Sequence, residues 1–275
     1  MGAANLYFLL FSGIGMMLVA MSSVAICSYL VRPQFRWYWV GAGIWFVAVV
    51  LKVVCALIAN PFVLPPLKGG TGQFTYLILG SLYLGIESSI FEMGITLAAV
   101  LVWRQLAQDA TRGIAIGVGA GAFEALLLGL SGVANAGAAI AGVPGTEIIV
   151  EQIQKVAATT PLFFLLGPAE RTIAILCHVS TRALILLGAA RSRPILVVYG
   201  FVIFTLLDGV AGGAHLSGAV TTMSMWWIEL AILPFAIVSV PIIRWCHENW
   251  NDRAPNAANG WSPEAHTAEV HKDTL

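Results

Sequence analysis

Ionisable side chains inside apolar runs are the residues of this chain whose types could do chemistry. Glu170, Arg171 and His178 stand between Pro161 and Ala190, in a stretch otherwise nearly all apolar and long enough to cross a bilayer. A charge near the bilayer centre costs at least ~2.5–3.5 kcal/mol on insertion scales, so such groups mark a functional site by default. Lys52, Glu87, Glu92, Glu124, Asp208 and Glu229 recur in other apolar runs. On a helix advancing 100° per residue, Arg171 to His178 is a net turn of about −20° and Arg171 to Arg182 about +20°. Arg171, His178 and Arg182 therefore share one narrow stripe, with Glu170 about 100° aside. That stripe must face the bundle interior, a water-filled cavity or partner carboxylates. Arg182, near the end of the run, has a blander reading in which it reaches out to the interface.

The partner carboxylates come from neighbouring runs. Gly113, Gly117, Gly121, Ala125 and Gly129 repeat every four residues, a small-residue seam that permits close helix approach. Glu124 lies about 60° round from Gly121, with Arg171 and His178 as the cations available to it. A buried Glu124–Arg171 pair could serve only to register two helices, but that account leaves His178 and Asp208 unused. Glu87 and Glu92 diverge by about 140°, so only one can face this cavity. Glu92 lies deeper and is the candidate, whereas Glu87 points to a different helix pair. Lys52 either reaches outward or pairs with a carboxylate. Asp208 suits a lone carboxylate facing the basic stripe, with His215 nearer the mouth. Glu229 reads as a partly hydrated residue near a span end.

The elements that position these groups follow from composition. The 275 residues are 59% hydrophobic and only 10% charged, with a mean hydropathy of +0.86. Soluble domains carry roughly 25% charged residues, so the chain reads as an all-α polytopic membrane bundle. Seven spans are expected: about Leu6–Val31, Trp37–Ala59, Tyr76–Trp103, Gly113–Val133, Pro161–Ala190, Ile195–Gly213 and Met223–Trp245. The run from Leu6 is too long for a signal-peptide core and has no basic residue before it. Arg32, Arg36, Arg104, Arg112, Arg191, Arg193, Arg244, Arg253 and Lys272 fall on one side, against Lys68 and Lys155 on the other. The positive-inside rule then puts the N-terminus outside and the C-terminus inside. Trp37, Tyr38 and Trp39, with Trp226, Trp227 and Trp245, suit interfacial anchors. The loop Ala134–Thr160 divides into a flexible Gly/Ala stretch and a short amphipathic helix with Ile149, Ile153 and Val156 on one face. Residues 1–248 form the membrane domain, and 249–275 read as a disordered cytoplasmic tail.

Other classes are excluded or unsupported. Zero net charge argues against a nucleic-acid partner. Cys27, Cys55, Cys177 and Cys246 have neither metal-ligand nor redox spacing. His178 is the lone histidine well inside a span, and no His-Glu-x-x-His occurs, so no metal or other cofactor is expected. The last span holds no lysine for a retinal Schiff base. No repeated halves with interrupted helices are visible, which counts against a transporter.

The segments Gly119-Ala-Gly121-Ala-Phe123-Glu124-Ala-Leu and Glu170-Arg171-Thr-Ile-Ala-Ile-Leu-Cys-His178-Val-Ser180 resemble the YhfC family of bacterial membrane proteins. That family is grouped with the CAAX-protease and bacteriocin-processing intramembrane proteases, and the similarity runs over most of the membrane domain. The resemblance implies a glutamate-dependent hydrolase in the bacterial inner membrane, cutting a membrane-embedded peptide or protein. A carboxylate would activate water, and histidines and another polar side chain would stabilise the oxyanion. On that pattern Glu124, Glu170, Arg171 and His178 lead the candidates, followed by Glu92 and Asp208, and either Glu92 or Glu124 could be the base. The chain departs from the wider superfamily. Its paired glutamates and arginine reduce to Glu92 alone, with Phe91 in place of the second carboxylate. The later histidine, four residues before an Asp or Asn, falls on Phe204 and leaves only Asp208. A divergent or inactive member, a proton-coupled transporter and a non-catalytic membrane scaffold stay open beside the protease.

Overall fold

The most polar of the long apolar runs is also the most deeply buried. In the computed structural model, which describes residues 2–250, helices α1 (Gly2–Leu30), α2 (Arg36–Gly70), α3 (Gln73–Val102), α4 (Ala110–Ile140), α5 (Glu147–Thr159), α6 (Leu166–Arg191), α7 (Pro194–Leu216), α8 (Ala219–Thr222) and α9 (Trp226–Asn249) follow in order. Seven of them, all but α5 and α8, are long and apolar enough to cross a membrane. The apolar windows of α6 and α4 are 78% and 67% buried, against 17–39% for the other five. Lipid solvates apolar side chains as well as protein does, so the helix carrying the charges is the one that must be enclosed. Helix α6 packs on α4, α9, α7, α1 and α3.

The helices approach through missing side chains. A Cβ built on Gly41 of α2 would lie 2.1 Å from the Ile116 carbonyl oxygen, and one on Gly119 of α4 the same distance from that of Tyr38. These two glycines form a reciprocal backbone contact. Cβ atoms built on Gly117 and Gly121 would lie 2.6 and 2.9 Å from the Cα atoms of Val179 and Ile175 on α6, and Gly129 meets α1. The expected four-residue seam is therefore a contact surface, and it sets Glu124 against α6.

Four ends gather on one side of the bundle. The guanidiniums of Arg36 and Arg112 sit over the Trp37 ring at 4.7 and 4.8 Å. Arg191 donates to the carbonyls of Asn249 and Trp250, and the Trp250 indole donates to Ala107. At the opposite end Phe8 stacks on Phe164, beside the start of α6.

Some expectations change. Helix α2 continues past Ala59 through Pro61, Pro65 and Pro66 to Gly70. The carbonyls that these prolines leave without an N–H partner belong to Leu57, Pro61 and Phe62, all exposed, so no buried acceptor is orphaned. The Gly/Ala segment expected as a flexible loop extends α4 to Ile140, because its alanines are the strongest helix formers and Ala136 is fully buried. Trp37 and Tyr38 turn into the core, leaving Trp39 facing outward. Helix α5 is amphipathic as read, with Ile149, Ile153 and Val156 half-buried and Glu151, Gln152 and Lys155 exposed. The tail expected from residue 249 lies, beyond Trp250, outside the described residues.

Candidate functional site

Glu124 is the junction of the polar centre. The seam holds α4 so close to α6 that its carboxylate receives Arg171 Nη1 on Oε1 at 2.6 Å and His178 Nε2 on Oε2 at 2.7 Å. Arg171 also donates through Nη2 to Glu170 Oε1 at 2.5 Å. These contacts unite the stripe on α6 with α4, as the helical spacing requires. Burial differs along the set: the side chains of Arg171 and His178 are 8% and 5% exposed, Glu124 is 21% exposed and Glu170 46%.

The second half lies deeper. Arg182 is fully buried and donates from Nη1 to His178 Nδ1 and from Nη2 to Glu92 Oε2, the latter at 3.3 Å. The reading in which Arg182 reaches out to the interface is thus overturned, since the enclosed α6 gives its side chain no path outward and Glu92 faces it. A guanidinium can only donate, so His178 Nδ1 accepts and the ring proton sits on Nε2, aimed at Glu124. Across α3, Lys52 donates to Glu92 Oε1 at 2.7 Å and to Ser88 Oγ at 3.0 Å, and Ser88 donates in turn to Asp208. The result is one connected network over α2, α3, α4, α6 and α7. Three cations, Lys52, Arg171 and Arg182, meet three carboxylates, Glu92, Glu124 and Glu170.

All six sequence candidates enter this network, Asp208 only through Ser88 rather than on the basic stripe itself. Ser88 was not singled out from the sequence; its signal was its place one helical turn before Glu92. Lys52 takes the pairing reading. Glu87 is turned away toward Cys55, with Oε1 buried and unpartnered. Glu229, expected to be hydrated, is instead buried, its Oε2 unpartnered and within coulombic reach of Glu170 and Arg171. The reason is the packing of α9 on α6. His215 takes no part.

A family model described as YhfC intramembrane metalloprotease matches residues 15–232, well over half of the chain. The chain belongs to the YhfC family. No curated protein and no solved structure matches it. The YhfC description implies a metal ion, and the donor set can be tested against one. The two ring nitrogens of His178 point to opposite sides of the imidazole, Glu124 lying on the Nε2 side and Glu92 on the Nδ1 side, 3.9 Å away. An ion on either side would meet one nitrogen and one carboxylate, whereas catalytic zinc sites use three protein ligands and an open position. Among the described residues no group of three or more His, Cys, Asp or Glu is arranged to hold a metal. Phe204 is buried against the His178 ring, centroids 5.5 Å apart. Both carboxylates are already matched by fixed cations. The residues of this YhfC chain do not fit a metal ion.

Proposed function

We propose that this YhfC protein is an intramembrane endopeptidase whose water is activated by Glu124 without a metal. The observation that carries this reading is the geometry at Glu124: a carboxylate near the middle of α4, held by Arg171 and His178 and 21% exposed. Each of its oxygens keeps a lone pair free of the contacts described, which is the capacity a general base needs. Glu124 would take a proton from water as the water oxygen bonds the peptide carbonyl carbon. It would return that proton to the amine nitrogen as the carbon–nitrogen bond breaks. Arg171, whose Nε–H is buried without a partner, lies beside it as a donor for the developing oxyanion, while the His178 Nε2–H holds the carboxylate. Glu92 and Arg182 position His178 from the far side. The substrate is a membrane-embedded peptide or protein segment, and the setting is the bacterial inner membrane with the N-terminus outside and the C-terminus inside. The positive-inside count supports that orientation.

One observation favours a second reading, a non-catalytic membrane protein. Phe204 fills the space beside His178, and every ring nitrogen and both carboxylates of the pair Glu92 and Glu124 already have partners. Purified protein in liposomes, presented with a panel of single-span substrates, separates the two. The endopeptidase reading expects cleavage by wild type, resistant to chelator, and its loss in Glu124→Gln and His178→Ala at a temperature where both remain folded. A panel left intact by wild type would move the assignment to the non-catalytic reading.

A further inference from the structure

We infer that the guanidinium of Arg182 is the resident cation of this site, standing where a divalent ion would otherwise bridge His178 and Glu92. This role for Arg182 goes beyond the endopeptidase reading and holds whether or not a peptide is cleaved. His178 Nδ1 and Glu92 Oε2 lie 3.9 Å apart. Two ligands of one tetrahedral zinc, each bonded at 2.0–2.2 Å, are separated by about 3.3–3.6 Å. The two atoms thus have nearly the spacing of a shared ion, and the two terminal nitrogens of Arg182 satisfy one each. A planar fork is suited to bridging two acceptors in this way, and its charge cannot be lost by deprotonation.

The substitution is locked by packing. Arg182 has no exposed surface, and its neighbours Thr181, Ala183 and Ile185 have none either. The guanidinium cannot swing aside to admit an ion, and an ion entering beside it would be repelled. Arg182 also stands four residues after His178, the spacing that puts two side chains on one helix face and that zinc-binding histidine pairs use. The same position could therefore carry a ligand, and in this chain it carries the charge instead.

Zinc content of the full-length protein, purified from zinc-supplemented cells and measured by elemental mass spectrometry, tests the assignment without reference to activity. Wild type is expected to hold far less than one zinc per chain. Its His178 ring should give the nitrogen NMR pattern of a neutral imidazole protonated at Nε2, unmoved by added zinc. Arg182→His should instead approach one zinc per chain through His178, the new imidazole and Glu92, and lose it when His178→Ala is added. A wild-type zinc equivalent that disappears in His178→Ala would overturn the inference, as would a zinc-shifted His178 resonance. A folded Arg182→His chain that takes up no zinc would also overturn it. The wild-type measurements need no variant to fold.

Discussion

Neutralising the three paired carboxylates one at a time should destabilise the bundle in the order Glu92→Gln, then Glu124→Gln, then Glu170→Gln. Each variant keeps side-chain size and removes one negative charge. What differs is what the charge leaves behind. Without it at Glu92, the single amide oxygen of Gln can serve Arg182 or Lys52 but not both, and Arg182 is left a fully buried cation with no anionic partner, while Lys52 keeps Ser88 and the more distant Asp208. Breaking a buried pair from one side costs about 3–5 kcal/mol. At Glu124 the loss is softer, because Arg171 retains Glu170 at 2.5 Å and His178 can donate to the amide oxygen of Gln. A hydrogen bond to a charged group contributes about 1.5–3 kcal/mol, which bounds the loss here. Glu170 is 46% exposed, in the range where ion pairs contribute about 0–1 kcal/mol. For a chain of this size each kcal/mol shifts the midpoint by roughly 2–4 °C, giving losses of about 6–20, 3–12 and under 4 °C. The nine tryptophans supply the signal for thermal unfolding of the purified protein by intrinsic fluorescence. If Glu170→Gln lost as much as Glu92→Gln, or the order inverted, the network would not be graded by burial and the reasoning would fail.

Two further perturbations address the scaffold and the surface. Gly41→Ala and Gly119→Ala should each destabilise the bundle by more than the ~1–3 kcal/mol of ordinary overpacking, read as a lowered unfolding midpoint, because the added carbon meets backbone rather than a movable side chain. Gly43→Ala, with open space around its Cβ, should be neutral in the same assay, and equal losses at Gly41 and Gly43 would contradict the reciprocal α2–α4 contact. On α5, Lys155 at 2.7 Å holds the Glu151 carboxyl below its ordinary value. A folded-state value below the unfolded one means that the pair supports α5 above the ordinary carboxylate range and ceases to as pH falls through the lowered value. Carboxyl NMR should accordingly find the Glu151 midpoint rising in Lys155→Ala, and an unchanged or falling midpoint would remove the pair.

The sequence made the span count and the stripe on α6 legible because both rest on periodicity. A charge in lipid is so costly that Arg171, His178 and Arg182 had to share a face, and that face had to be the enclosed one. The glycine seam on α4 was readable for the same reason, and with it the meeting of Glu124 with Arg171 and His178. The sequence could not say which helix would be central. That depends on all pairwise contacts at once, and it decides Arg182: near the end of a peripheral helix a long side chain reaches the interface, while at the same depth on α6 it is trapped. Glu229 went the same way, its burial set by α9 packing on α6 rather than by its distance from a span end. Ser88 carried no hydropathic signal, since a serine costs little in an apolar run, and only its register with Glu92 marks it. The second span, expected to end at Ala59, runs on to Gly70 because three prolines whose freed carbonyls are exposed break nothing that burial would punish.

The network has a chemistry that its construction constrains. Buried ion pairs are a weak source of stability, often matched by apolar side chains of similar volume, and the glycine contacts already fix how α2, α4 and α6 approach. Stability alone is therefore a poor reason for three cations and three carboxylates in the centre of a membrane bundle. Fixed charges do have one property that apolar packing lacks, a field that is oriented before any ligand arrives. Along α6 that field is graded. Its deep end, at Glu92 and Arg182, is closed and rigid, while its other end, at Glu124 and Glu170, retains exposed carboxylate. On the proposed reading a reacting group or a bound peptide meets the network at this second end, at Glu124, and Arg182 fixes the ring nitrogen with which His178 meets it.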